Sequence, residues 1–193
     1  MDVTAEGNPP PDQELIARFG QRLGGVGGQV HHVPDSTAAS QAIAAIAERS
    51  DDRTIWISAD IANSAPGLVN ALTGMGFSPR QPSMAAEVRD QPLGLGIAEA
   101  AIAETGSVIM SEPRVSDRGV TLMTETLVIV CPVANLLPSL DEAAGVLRRI
   151  GASGASYATF ITGPSRTADI ERQLTVGVQG PGVYHVILVD QLT

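Results

Sequence analysis

Residues 127–162 read LVIVCPVANLLPSLDEAAGVLRRIGASGASYATFIT, and this stretch decides the fold. It opens with Leu127–Val130, a continuous apolar run that stops shortly before a proline and predicts a buried strand. Ser139 and Glu142 have the spacing of a capping box, which predicts that a helix follows them. Tyr157–Thr162 is rich in aromatic and β-branched residues and predicts a second strand. The stretch therefore predicts a strand, a helix and a strand in succession.

The same alternation extends through the rest of the chain. Further strands are predicted at Thr54–Ser58, Ser107–Met110 and Val183–Val189. Helices are predicted at Asp12–Arg22, Ser36–Arg49, about Asn63–Gly74, about Gly96–Thr105 and Arg166–Val176, with Ser36 as a helix cap. Ser111–Arg118 is polar, contains a proline and predicts a loop. Because the strand runs are continuous and not alternating, helices are expected on both faces of the sheet.

This order predicts the α/β class, with a three-layer αβα architecture around a mainly parallel, Rossmann-like sheet. We expect one domain over residues 12–193, since nothing in that range has the composition of a domain linker. Residues 1–11 are polar, acidic and proline-rich, which predicts a disordered tail.

Composition argues against several classes of function. The formal net charge is −9 and arginine is nowhere concentrated among aromatic residues, so no nucleic-acid partner is expected. The apolar runs fall short of the ~20 residues that cross a bilayer, so no membrane span is expected. All 12 basic residues are arginine, which excludes Schiff-base and P-loop lysine chemistry.

Cysteine and histidine usage bears on redox and metal chemistry. The single cysteine, Cys131, cannot form an internal disulfide or hold an iron–sulfur cluster, which needs about four thiolates. It ends an apolar strand and is expected to be a buried, inert thiol. With no secretory signal pattern at the start of the sequence, this predicts a cytoplasmic protein that binds no cofactor by itself. His31 and His32 are expected on opposite faces of a strand, as edge residues and not as metal ligands.

The first candidate site is a predicted strand-to-helix turn at residues 163–167. Gly163 ends the strand, and Ser165, Arg166 and Thr167 surround the start of the helix, where free backbone N–H groups can hold a carboxylate or phosphate. The alternative is that Ser165 only caps the helix and that Arg166 pairs with an acidic residue within it. We expect a small anionic metabolite at this turn.

The second candidate site is Glu104, which lies close to Gly106. Its carboxylate can act as a nucleophile or base, and the alternative is a helix-terminal glutamate that faces solvent. Thr105, Gly106 and Ser107, with Gln179 from farther along the chain, are expected to line the same cleft. Since parallel sheets collect ligands at the carboxyl ends of their strands, both candidate sites are expected at one edge, and a catalytic Glu104 is expected to be partly buried.

Three motifs carry a resemblance to a known family. AIAETGS at residues 101–107, GPSRTADIE at residues 163–171 and GVQGP at residues 177–181 resemble, in order and in register, signatures of the lactate-utilization (LUD) family. The resemblance covers roughly the C-terminal half of the chain in detail. It implies the fold of sugar-phosphate isomerases and CoA transferases.

The resemblance also implies a function. Members of this family accompany iron–sulfur partner proteins in the oxidation of L-lactate to pyruvate, so an accessory subunit of that system is expected, with homo-oligomer formation left open. The rival hypothesis is a stand-alone acyl- or CoA-transferring enzyme with Glu104 as nucleophile. Gln179 and Thr126 stand where the family has histidines, and neither side chain can titrate near neutral pH. This departure favours a binding role for Glu104 over a covalent one.

Overall fold

The computed structural model describes residues 13–48, 50–155, 157–167, 175–176 and 180–193. Its strands are β1 (Gln29–Asp35), β2 (Thr54–Ile57), β3 (Ser78–Arg80), β4 (Leu93–Ile97), β5 (Ala100–Ile102), β6 (Ser107–Met110), β7 (Thr126–Pro132), β8 (Leu136–Leu137), β9 (Thr159–Ile161), β10 (Arg166–Thr167), β11 (Thr175–Val176) and β12 (Val183–Gln191). Its helices are α1 (Gln13–Gly25), α2 (Ser36–Ala47), α3 (Ala59–Ser64), α4 (Pro66–Gly74), α5 (Val115–Met123) and α6 (Ala143–Ala152).

A six-stranded parallel sheet forms the centre of the fold, in the order β1-β12-β7-β4-β2-β3. β7 is central, and its first residue, Thr126, is in register with Val183 of β12 and Leu93 of β4. Seven consecutive residues of β12 pair with β7. The predicted α/β class with a mainly parallel central sheet is therefore confirmed.

Helices α2, α3 and α4 cover one face of this sheet. Ile43 of α2 and Leu68 and Leu72 of α4 are fully buried against sheet residues such as Ile55 and Leu95. Burial of a large aliphatic side chain stabilises the fold by about 1.5–3 kcal/mol, so this apolar layer holds the helices to the sheet. The apolar positions at helical spacing in the sequence explain why these segments are helices.

The other face is covered by α1 and by a second, smaller sheet. Phe19 and Leu23 of α1 pack with Leu127 and Ile129 of β7. The second sheet has the order β8-β5-β6-β9, in which β5–β6 and β6–β9 are antiparallel. Helix α6 packs on its outer side through a core cluster that includes Val146 and Ile150. This sheet is an addition to the three layers expected from the sequence.

All five predicted strand segments contain strands, although two of them lie in the second sheet. These two are Ser107–Met110, which is β6, and Tyr157–Thr162, within which β9 lies. The helix predicted at Gly96–Thr105 is wrong, since the segment contains the end of β4 and all of β5. Its small side chains suit a strand packed between two layers, and Ala100–Ile102 is fully buried there.

Two further predictions need correction. The predicted loop Ser111–Arg118 is helical from Val115 onward, because α5 begins there. Helix α2 is capped by Asp35, whose carboxylate accepts a hydrogen bond from the Ala38 N–H at 2.8 Å, and not by Ser36. The predicted tail, residues 1–11, lies outside the described residues. Among the described helices none is long and apolar enough to cross a membrane.

Candidate functional site

Four parallel strands of the central sheet end at one cleft on its carboxyl edge. The segments at and beyond the ends of β2, β4, β7 and β12 enclose a cavity of about 560 Å³. Open parallel sheets bind their ligands at this edge, because the loops there diverge and leave a crevice. The polar part of the wall comprises Asp60, Ser64, Glu99, Asn135, Asp190 and Gln191. We call this cavity the carboxyl-edge cleft.

A second cavity of about 280 Å³ adjoins the carboxyl-edge cleft and shares Asp60 and Glu99 with it. Its remaining wall includes Ser111, Pro113 and the turn after α6. Neither set of lining residues contains an arginine. Because carboxylates accept hydrogen bonds and repel anions, the two cavities together favour a ligand that presents hydrogen-bond donors.

Both histidines of β1 contact side chains of β12, and His32 does so next to the cleft. His32 Nε2 lies 2.7 Å from a carboxylate oxygen of Asp190, and both side chains are partly exposed. On the opposite face of β1, His31 Nε2 lies 3.1 Å from Nδ1 of the buried His185. Burial lowers the pKa of His31, which favours its neutral form. The prediction that His31 and His32 point to opposite faces holds, but each has a partner on β12 that the sequence did not reveal.

A buried glutamate lies behind the smaller cavity. Glu112, which follows β6, is 1% exposed, and its Oε2 accepts a hydrogen bond from the Thr121 hydroxyl at 2.8 Å. Its other carboxyl oxygen, Oε1, has no hydrogen-bond partner among the described residues. Burial raises the pKa of Glu112 to about 8, and the charges of Asp117 and Asp60 act in the same direction. Glu112 is therefore mainly protonated at neutral pH.

The two arginines near Glu112 do not hydrogen-bond its carboxyl group. Arg114 donates two hydrogen bonds of 2.8 Å to the carboxylate of Asp117, which is 1% exposed. Arg118 donates from Nε to the backbone carbonyl of Glu112 at 2.9 Å, and its guanidinium lies 3.8 Å from the ring centre of Tyr157. Burial also raises the pKa of Asp60, with a further contribution from Asp117. Asp60, Glu112 and Asp117 thus form a carboxyl cluster in which, among the described residues, Arg114 is the one cation hydrogen-bonded to a carboxylate, that of Asp117.

Two glycines of β4 set the distance between this cluster and the sheet. A Cβ at Gly94 would lie 2.4 Å from the carbonyl oxygen of Val120, in α5. A Cβ at Gly96 would lie 3.1 Å from Met110 and 3.6 Å from Thr121. The missing side chains let α5 pack closely on β4, so that Thr121 meets both the sheet and Glu112. The sequence signal for Glu112 was a carboxylate two residues after an apolar strand, but its burial depends on this packing.

The predicted site residues around Glu104 form a hairpin turn and not a helix-to-strand junction. Glu104 is exposed, and its carboxylate accepts a hydrogen bond of 2.8 Å from the backbone N–H of Leu140. Glu104 therefore lacks the partial burial that is expected of a catalytic carboxylate. Gly106 has a φ of +71°, and a Cβ there would lie 2.6 Å from the backbone nitrogen of Leu23. The turn therefore packs closely against the end of α1.

The two predicted motifs do meet, through hydroxyl groups. Thr105 donates to the Ser107 hydroxyl at 2.8 Å, and the oxygens of the Ser107 and Thr162 hydroxyls lie 2.6 Å apart. This contact arises because β6 and β9 pair antiparallel, with Val108 opposite Ile161. The sequence did not predict that β6 pairs with β9. It did predict that the two motifs lie close together, but at the carboxyl edge of a parallel sheet.

The Gly163–Thr167 turn lies at the amino edge of the central sheet, opposite to the edge expected. A Cβ at Gly163 would lie 2.9 Å from Val26, and Arg166 donates a hydrogen bond to the Val26 carbonyl, just before β1. The Ser165 N–H donates to Pro181, just before β12, at 2.8 Å. Arg166–Thr167 is strand β10, paired with β11, so no helix begins there. Gln179 lies outside the described residues.

The described part of the chain contains neither a metal-binding cluster nor an exposed thiol. No group of three or more histidine, cysteine, aspartate or glutamate side chains there could hold a metal ion. Cys131 is fully buried, as expected, and burial raises its pKa to about 12. The thiol is therefore protonated at neutral pH.

Comparison with known proteins identifies the family of this chain. The family model described as the LUD domain matches residues 16–189. The crystal structure of a DUF162 family protein from Deinococcus radiodurans superposes with a TM-score of 0.64 at 19% identity, covering 91% of this chain and 96% of that chain. At this identity the superposition supports the fold alone.

Curated relatives share a part of the sequence. Lactate utilization protein C of Bacillus subtilis is 35% identical over 101 residues, which is 51% of this chain and 42% of that protein. The protein of the same name from Geobacillus thermodenitrificans is 34% identical over 103 residues, or 51% of this chain and 43% of that protein. The match thus spans less than half the length of these relatives.

Proposed function

Because this chain belongs to the LUD domain family, we propose that it takes part in lactate utilization, as an accessory subunit that works with iron–sulfur partner proteins in the cytoplasmic oxidation of L-lactate to pyruvate. The observation that carries the proposal is the family match over nearly the whole chain, together with relatives named lactate utilization protein C. The match to these relatives at 35% identity supports the pathway more directly than it supports any single reaction.

In the proposed function the partner proteins supply the electron acceptor. Oxidation of a 2-hydroxy acid releases two electrons, and the chain has a single cysteine, Cys131, too few to hold an iron–sulfur cluster. That thiol is fully buried in the central sheet. In this proposal the electrons pass to clusters on the partner proteins.

The proposal places the small anionic metabolite at the Gly163–Thr167 turn and not in the carboxyl-edge cleft. The cleft is lined by Asp60, Glu99 and Asp190, whose charges repel a carboxylate. At the turn, Arg166 uses one guanidinium nitrogen on the Val26 carbonyl and has further N–H donors for an anion. The hydroxyls of Thr105, Ser107 and Thr162 lie nearby, at the hairpin that packs beside it.

The experiment that tests this function uses the protein with its partners. The chain is purified through an affinity tag from lactate-grown cells, and L-lactate-dependent reduction of an artificial electron acceptor is measured for the purified complex and for the chain alone. We expect activity from the complex, with bound iron and labile sulfide, and none from the chain alone. Activity of the isolated chain, or a purified complex without iron, would contradict the accessory role.

Binding of the anion is tested separately by titration calorimetry with L-lactate and with inorganic phosphate. We expect Arg166→Ala to weaken binding of whichever anion binds, while Asp60→Asn, at the opposite edge of the sheet, leaves its affinity unchanged. An unchanged affinity in Arg166→Ala would reduce the turn to a structural element.

A further inference from the structure

Helix α6 has two apolar rows, and one of them is exposed. Three residues of its inward face are buried in the core cluster beneath it, namely Ala143, Val146 and Ile150. A second row, which we call the exposed stripe, has spacings of four, three and four residues and comprises Leu140, Ala144, Leu147 and Gly151. Its first residue lies in the turn of 3₁₀ helix that leads directly into α6. One apolar row is enough to hold a surface helix on its sheet, so the exposed stripe is not needed for the fold of a single chain.

Phe160 adds to the apolar surface on this side of the molecule. It lies in β9, an edge strand of the second sheet, and pairs with Ile109 of β6. Residues paired across two strands point to the same face of a sheet, and for Ile109 this is the face on which α6 packs. Ile109 is fully buried, whereas Phe160 is 42% exposed and Leu147 and Leu140 are 39% and 49% exposed. Single exposed apolar side chains are common on protein surfaces, but several on one side of one layer are typical of a contact surface.

Two charged residues border the exposed stripe, one near each end. Asp141 follows Leu140 and Arg148 follows Leu147, so the two charges lie two helical turns apart on the same border. Both are exposed, and neither forms a salt bridge with another described residue. When two copies of this helix pack antiparallel, the first turn of one copy lies beside the last turn of the other. Asp141 of each copy then faces Arg148 of the other copy, whereas parallel packing would place like charges side by side.

We propose that the exposed stripe is the interface of a homodimer, in which α6 packs antiparallel against α6 of a second copy about a two-fold axis. The axis lies level with the middle of the stripe, so Leu147 packs against Ala144 of the second copy, and Leu140 packs against its Gly151. A Cβ at Gly151 would meet nothing within 4 Å in its own chain, so this position is open to a leucine from outside. The small residues let the helix axes approach to about 8–10 Å.

The charges select a second copy as the occupant of this surface. The surface presents one acid and one base at equal distances from the middle of the stripe, and a two-fold axis pairs each with its opposite twice. Residues 140–152 span about 20 Å, so the helix contact is short and Phe160 of both copies enlarges its apolar area. An interface at the low end of the usual size range predicts a dimer that dissociates at micromolar concentrations.

Sedimentation velocity of the whole chain at a series of concentrations tests the dimer. We expect a species of twice the monomer mass, whose fraction rises with concentration. Leu147→Asp should raise the dissociation constant by about tenfold or more, because two carboxylates then lie in the apolar contact. Met75→Asp is the matched control, since Met75 is also 39% exposed but lies at the end of α4, on the other side of the central sheet, and it should leave the constant unchanged. A monomer at every concentration, or equal constants for Leu147→Asp and the unmodified protein, would overturn the proposal.

Charge reversal tests the antiparallel arrangement. Asp141→Arg and Arg148→Asp each replace two attractive pairs by two repulsive ones, so each should weaken the dimer. The double variant restores opposite charges across the axis and should return the dissociation constant to within about threefold of the unmodified value. A double variant that dimerises no better than the single variants would show that the helices are not antiparallel.

The test also separates a second copy from the iron–sulfur partners of the proposed function. If the unmodified chain is a monomer and Leu147→Asp loses copurifying iron, the surface binds those partners and the homodimer is wrong. The dimer itself does not depend on lactate oxidation, because it is measured with the purified chain alone. The proposed function and the homodimer can therefore fail separately.

Discussion

Replacing Glu112 with glutamine should remove a penalty on folding that grows with pH. The carboxyl group has a pKa of about 8 in the folded protein, against a reference value of 4.5 for an exposed glutamate. Because the folded-state pKa is raised, the contribution of this group to stability is fully present below about pH 4.5 and is lost as the pH rises through about 8. Glutamine keeps the shape of the side chain and does not titrate.

The magnitude follows from the size of the shift. One pKa unit corresponds to about 1.4 kcal/mol, so the penalty reaches about 3 kcal/mol at pH 7 and about 5 kcal/mol above pH 9. Glu112 is 1% exposed, which keeps solvent screening small. The free energy of unfolding of Glu112→Gln, relative to the unmodified protein, should therefore increase by about 2–3 kcal/mol between pH 5 and pH 7.

Urea unfolding at a series of pH values, followed by circular dichroism, measures this difference. Other titrating groups are common to both proteins and cancel in the comparison. Thr121→Val supplies a second variant, because it removes the hydrogen bond that lowers the pKa of Glu112, so its stability should keep falling to higher pH. A difference in unfolding free energy between Glu112→Gln and the unmodified protein that stays constant from pH 5 to pH 8 would show that burial does not raise the pKa of Glu112.

Three further predictions concern stability and the role of Glu104. Arg114→Ala should lower the free energy of unfolding by about 2–3 kcal/mol in urea titrations, because it leaves the buried Asp117 without its charged partner; an unchanged midpoint would show that the pair contributes nothing. Gly94→Ala should destabilise the fold by about 1–3 kcal/mol, since its Cβ meets α5. Gly145→Ala, in α6, has open space and should stabilise the fold by about 0.5–1 kcal/mol. Stability changes of the same sign for both variants in thermal melts would contradict this packing. Glu104→Ala should lower the free energy of unfolding by about 0.5–1.5 kcal/mol through loss of the hydrogen bond from the Leu140 N–H, and Glu104→Gln should lower it less. An acyl adduct on Glu104 found by mass spectrometry, or CoA transfer that Glu104→Gln abolishes, would instead establish a covalent role.

Three strands of the central sheet, β2, β7 and β12, were predictable because their sequences are continuous apolar runs. Leu127–Val130 and Val183–Val189 fall inside β7 and β12, which are paired and buried at the middle of the sheet. The second sheet was not predictable, because Ala100–Ile102 contains small residues that suit a helix equally well. Its strand conformation depends on pairing with β6 and on packing against α6, which are contacts distant in sequence.

The candidate site was predictable in kind but not in composition. From the sequence we expected ligands at the carboxyl edge of the sheet, where the cleft is found. We expected Glu104 and the Gly163–Thr167 turn to line that site. Asp60, Glu99 and Asp190 line it instead, and they come from segments far apart in the chain. Only the strand order brings them together. The turn lies at the opposite edge from the one expected because β9 pairs with β6 in the second sheet.

Growth on lactate tests the central claim, participation in lactate utilization, most directly. A strain of the source organism that lacks this gene is compared with its parent on L-lactate and on pyruvate as sole carbon source, with complementation by the unmodified gene. We expect the deletion strain to fail to grow on L-lactate, to grow normally on pyruvate and to recover when the gene is restored. Normal growth of the deletion strain on L-lactate, or an equal defect on both carbon sources, would contradict it.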